Sequence, residues 1–132
     1  MPKRDGRDLG RMLAAKAAAD EAVLEKLLDD TSVPDEALGF HAQQAVEKRI
    51  KSVLAQRGIA FERTHNVAYL LGLLADHGID PPPDDEALSA LTPWATEFRY
   101  EDASGRSLDR EHARQLVRGV RGWAEALAEA SE

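Results

Sequence analysis

Apolar residues recur every three or four positions along this chain, and in five stretches the recurrence is long enough to predict a helix. The first stretch runs from about Asp8 to Asp29. Leu9, Met12, Leu13, Leu24, Leu27 and Leu28 mark one face, and Ala14, Ala15, Ala17, Ala18 and Ala19 favour helix and permit a close neighbour. The run from Asp29 to Pro34 stops it. The second stretch runs from Asp35, read as an N-cap, to about Arg57. Ala42, Ala45, Val46, Ile50, Val53 and Leu54 form its apolar face, and Gly58 is a left-handed stop. The third follows Thr64, again read as an N-cap, on Val67, Leu70, Leu71 and Leu74, and ends at His77-Gly78. Asp80-Pro81-Pro82-Pro83 cannot continue a helix. The fourth runs from Asp84 to about Tyr100 on Leu88, Leu91, Ala95 and Phe98, where Pro93 predicts a kink or two half-helices. The fifth starts at Asp109, a further N-cap, and carries Leu116, Val120, Trp123, Ala124 and Leu127.

No alternating, β-branched pattern persists, so the expected fold is all-α: a single domain over 1–132, arranged as an up-down bundle of about five helices. The length suits one core. The absence of cysteine excludes disulfides and thiolate metal sites. No apolar run reaches the roughly 20 residues of a membrane span, and the polar N-terminus lacks the apolar segment of a signal peptide. A cytoplasmic protein with no membrane contact is the expectation. The net charge of −7 argues against non-specific nucleic-acid binding without excluding a local basic site.

One such site is legible on the second helix. His41, Gln44, Lys48 and Lys51 recur at helical spacing beside the alanine face, and Arg63, Thr64 and His65 follow at the start of the third helix. Between His41 and His65 there are five cations and two anions, against the acidic balance of the whole chain. Arginine and lysine suit phosphate, glutamine suits a base edge, and a helix start supplies free N–H groups. The same stripe reads equally as a solvated face on which Glu47 pairs Lys51 at i,i+4, and Gln43 or Gln44 reads equally as a bond between helices.

Phe40-His41-Ala42-Gln43-Gln44-Ala45-Val46-Glu47-Lys48, then Arg63-Thr64-His65-Asn66, then Phe98-Arg99-Tyr100 occur in that order on successive helices. Together they resemble the HEPN family, the higher eukaryotes and prokaryotes nucleotide-binding helical bundle, over nearly the whole chain. The resemblance implies a four- to five-helix bundle, a homodimer, and pairing with a small nucleotidyltransferase in a toxin–antitoxin-like couple. It implies a nucleotide- or RNA-binding regulatory role. Arg99 and Tyr100, closing the fourth helix, read as a phosphate clamp and a stacking ring for the same ligand, and Tyr100 reads equally as a cap on the bundle with its ring buried. No cofactor is expected.

Other members of that family cleave RNA with an arginine and a histidine near the start of the last helix. Arg106 and His112 have that spacing here, and would serve as phosphorane stabiliser and general acid/base in a metal-independent endoribonuclease formed across a dimer. Twelve arginines and four histidines make the spacing easy to meet by chance, and Arg114 stands where cleaving members often carry tyrosine. The balance favours a binding module over an enzyme, with a purely architectural bundle as the third reading. Arg110, Arg114, Arg118 and Arg121 form a second basic stripe, suited to phosphate, to an acidic partner, or to pairing with Glu111 and Glu125. Trp94 and Trp123 read as core or dimer interface. The histidines His41, His65, His77 and His112 lie at no metal-ligand spacing.

Overall fold

A computed structural model of the protein describes residues 6–96 and 107–130. It contains helices α1 (Gly6–Leu27), α2 (Asp35–Gln56), α3 (Val67–Asp76), α4 (Asp85–Ser89) and α5 (Arg110–Ala130), with a 3-10 helix over Thr92–Thr96, and no strand among the described residues. The all-helical bundle expected from periodicity is what the chain forms. The fourth helix differs most from expectation. Pro93 lacks the N–H that an α-helix needs, so α4 closes at Ser89 and the chain continues as the 3-10 helix. Residues 97–106 lie outside the described part, and with them Arg99, Tyr100 and Arg106.

Helix ends follow local chemistry. Asn66, rather than Thr64, caps α3: its side chain accepts from the Tyr69 N–H at 3.2 Å, while the Thr64 hydroxyl accepts from the Asn66 N–H at 2.9 Å. Pro34 precedes α2, and Asp35 is its first residue rather than its cap. Asp109 caps α5 as expected, accepting from the His112 N–H at 3.0 Å. Helices α2 and α3 end in the same way, with Gly58 and Gly78 left-handed (φ 72° and 70°) and the next isoleucine N–H reaching back to Leu54 and Leu74 carbonyls.

The central element is α2, buried over 14 of its 22 residues. It packs most closely on α1, to which it is antiparallel: Gly10 lies by Ser52, whose hydroxyl donates to the Gly10 carbonyl at 2.9 Å, and Asp20 lies by His41 and Lys48. On its other sides it meets α5, the 3-10 helix and α3. Trp94 lies flat against Gly39, where a Cβ would overlap the indole ring. The core includes Leu24, Leu38, Ile50, Leu54, Leu70, Leu74, Leu88 and Val120, each 1% exposed or less. Helix α5 runs parallel to α2, because Asp35 at the start of α2 binds Leu108 N–H and Arg110 at the start of α5. The proline-rich connection is tied to α5 where the Trp123 indole N–H donates to the Asp80 carbonyl at 2.8 Å, so this tryptophan is a half-buried clamp.

Candidate functional site

At about 100° per residue, His41, Lys48, Gln44, Lys51, Glu47 and Gln43 fall side by side around the circumference of α2. Nearly all of this arc is covered. Along one edge α1 supplies two carboxylates. Asp20 lies 2.9 Å from His41 Nδ1 through one oxygen and accepts from Lys48 Nζ at 2.8 Å through the other. The next residue, Glu21, takes Arg49 in a two-bond fork, 2.8 Å each, with both side chains under 10% exposed.

Along the other edge Glu47 is the hub. Its side chain is 5% exposed and accepts from Gln43 Nε2, Lys51 Nζ and His65 Nδ1, each at 2.8 Å. Burial pushes the Glu47 carboxyl up, but the hydrogen bonds from Lys51, Gln43 and His65 outweigh it and hold the group below the usual carboxylate range. The same donors also grip the connection before α3: Lys51 reaches the Thr64 carbonyl at 2.8 Å and Gln43 the His65 carbonyl at 3.1 Å. Gln44 Nε2 donates to Gln43 Oε1 at 2.6 Å. Lys51 also stands 5.7 Å from the Phe61 ring centroid.

The structure therefore brings His41, Gln44, Lys48, Lys51, Thr64 and His65 together, but corrects the picture of an uncompensated basic patch. Lys48 and Lys51 are each matched by a buried carboxylate, and α1 adds two anions that helix-two counting omits. Arg63 is the exception, an exposed cation with no ion pair to any described residue. Asp20 and Glu21 were missed as members of the cluster, and Arg49 was counted among its cations without its partner Glu21. A signal for the two acids existed: Ala17, Asp20, Glu21, Leu24 and Leu28 share one helical face, so two acids sit on a buried stripe. Among the described residues no group of histidines and acids is arranged to hold a metal ion.

A family model described as "HEPN domain" matches residues 11–127. The chain belongs to the HEPN domain family. No curated protein and no solved structure shows significant similarity to it. The match covers both the α2 cluster and the start of α5, where the cleaving residues of other HEPN proteins are placed by the resemblance. In this HEPN domain His112 is exposed and lines a pocket of about 200 Å³ with Ala87, Leu91, Trp94, Asp109 and Leu116. The expected partner, Arg106, falls outside the described residues, so the pair's geometry is not on view. The second basic stripe is spent internally. Arg114 pairs Asp29 and Glu111, Arg118 pairs Glu25, Arg121 faces Glu21 and Glu125, and Arg110 binds Asp35 together with the carbonyls of Leu28, Asp30 and Val33. No helix among the described residues is long and apolar enough to cross a membrane.

Proposed function

We propose that this HEPN domain is a binding and regulatory module that takes a nucleotide or an RNA segment on the exposed edge of the α2 cluster, between Arg63, His65, Lys48 and His41. One observation carries the reading. Two buried carboxylates hold two histidines by one ring nitrogen each, beside an unmatched arginine. A rigid set of hydrogen-bonding tips with one free cation suits a ligand having both a phosphate and polar edges. Family membership supports the wider setting: a homodimer working with a small nucleotidyltransferase as the two halves of a toxin–antitoxin-like pair, in the cytoplasm and without a cofactor. Arg99 and Tyr100 belong to the same proposal as a clamp and a stacking ring.

Fluorescence anisotropy with a labelled single-stranded RNA tests it. Arg63 has no structural partner among the described residues, so Arg63→Glu leaves folding intact and weakens binding about tenfold or more. Unchanged affinity in Arg63→Glu refutes the assignment of this edge. A second reading rests on His112, which is exposed and lines a pocket: a metal-independent endoribonuclease using Arg106 and His112 across the dimer. Chelator-resistant RNA cleavage lost in both His112→Ala and Arg106→Ala would establish it in place of the first.

A further inference from the structure

The tautomer of His65 follows from its surroundings. Glu47 Oε1, 2.8 Å from His65 Nδ1, belongs to a carboxyl held in its ionised form, and an ionised carboxylate can only accept. The proton of the neutral imidazole therefore sits on Nδ1, and Nε2 carries a lone pair. The His65 side chain is 56% exposed, and among the described residues nothing hydrogen-bonds Nε2. The ring cannot turn over without breaking its bond to Glu47, and Gln43 fixes the His65 carbonyl at the same time. In its neutral form a histidine held in this way does not offer an N–H to a phosphate oxygen. It offers an acceptor, and its natural counterpart is a hydroxyl or an amino group. Arg63, two residues earlier and fully able to donate, takes the phosphate role instead.

We propose that His65 is a specificity-determining residue: its Nε2 accepts a hydrogen bond from a ribose 2′-hydroxyl, so that this edge selects ribonucleotides over deoxyribonucleotides. The inference rests on the nucleotide-binding reading above and names the sugar that site accepts. The 2′-hydroxyl is the group by which RNA differs from DNA at any one contact, and a site that hydrogen-bonds a hydroxyl discriminates against the analogue lacking it. His41, whose Nδ1 lies 2.9 Å from Asp20, is built on the same plan and is less exposed, at 32%.

The test uses one short sequence prepared as ribo-, deoxyribo- and 2′-fluoro-oligonucleotide. The fluoro form keeps the RNA-like sugar pucker but has no hydrogen to donate. The expected result is that the ribo form binds about tenfold tighter than both others, and that His65→Ala removes the difference while Arg63→Glu weakens all three alike. Equal affinity for ribo and fluoro forms overturns the hydroxyl-reading role and leaves the nucleotide-binding reading standing. No binding of any form overturns both. A second measurement does not depend on a variant folding: ring nitrogen-15 NMR shifts of the wild-type protein, at a pH where His65 is neutral, should show a protonated Nδ1 and an unprotonated Nε2. The opposite tautomer refutes the proposal outright.

Discussion

Two sets of ion pairs brace this HEPN domain, and they differ in burial while sharing the same chemistry. One is the polar floor on α2, where Glu21 forks onto Arg49 with both groups nearly inaccessible and Glu47 gathers three donors at 5% exposure. The other is the ladder between α1 and α5. There Asp29, just past α1, and Glu25 on it face Arg114 and Arg118, while the buried Glu21 also meets Arg121 at 3.9 Å, which places the two helices antiparallel. Arg118 and Glu25 are 61% and 46% exposed. In the floor, water cannot replace a lost partner, so each member depends on the others. In the ladder, water and salt stand ready to do so. The lesson is that a buried pair fixes the fold by the penalty for breaking it, whereas an exposed pair mainly biases which faces meet.

The sharpest way to break the comparison is to remove one partner from the floor. Arg49→Met leaves Glu21 buried without its fork and should cost about 3–5 kcal/mol, read from chemical denaturation. The double variant Arg49→Met, Glu21→Leu should recover most of that loss, since no lone charge remains. If the single variant costs no more than a surface change, the floor is not closed to water. Glu47 gives the next effect. Glu47→Gln keeps the shape and loses the charge that Lys51 and His65 face, a cost of about 2–3 kcal/mol near neutral pH. The pH dependence follows from the direction of its shift. The folded Glu47 carboxyl titrates below the ordinary value of 4.5, so its stabilisation is complete above that value and disappears as pH falls through the folded value. Thermal melts between pH 6 and the acid limit should steepen below about pH 4.5 in the wild type, and Glu47→Gln should flatten that slope.

How much of this was readable in the sequence depends on the distance between partners. The apolar periodicity located the long helices, because Leu24, Leu38, Ile50, Leu54 and Val120 state their faces through neighbours three and four positions away. The pair Glu47–Lys51 and the pair Arg121–Glu125 were legible for the same reason, being one helical turn apart. What escaped were the ion pairs set by tertiary packing. Asp20 meets Lys48 across 28 residues, and Arg118 meets Glu25 across 93. A stripe of lysine and histidine on α2 therefore looked like free positive charge, because nothing local shows that α1 brings acids to it. The reading of Thr64 as cap failed for a smaller reason: Asn66 can cap as well, and here Thr64 accepts from the Asn66 N–H while Asn66 accepts from the Tyr69 N–H inside α3.

Arg110 stands between the two regions. Its side chain is 24% exposed, yet it binds Asp35 and the carbonyls of Leu28, Asp30 and Val33 that follow α1. Among the described residues the Leu28 and Val33 carbonyls have no other donor and the Asp30 carbonyl keeps only the Val33 N–H, so Arg110→Ala should cost about 1–3 kcal/mol. Arg110→Lys should restore only part of it, because one ammonium cannot span the arc that the guanidinium covers. Full rescue by lysine would place Arg110 with the ladder rather than with the floor.

The smallest expected effect is the most informative about the ladder. Hydrogen bonds from Arg118 lower the Glu25 carboxyl; burial opposes them, and attraction from Arg118, Arg114 and Arg121 adds to the lowering. Both groups face water, so the pair should contribute little that salt does not erase. Arg118→Ala should move the thermal midpoint by about one degree or less in dilute buffer. The difference from wild type should disappear at roughly 1 M NaCl, where the screening length is about 3 Å. The acid-dependent loss traced to Glu47 should survive that same salt, since its donors are in direct contact with a carboxyl only 5% exposed. If Arg118→Ala were as costly as Arg110→Ala and indifferent to salt, the α1–α5 seam would be closed to water in solution. A second molecule covering that face would then be the physical explanation, and sedimentation of wild type against Arg118→Ala would show it as a change in assembly.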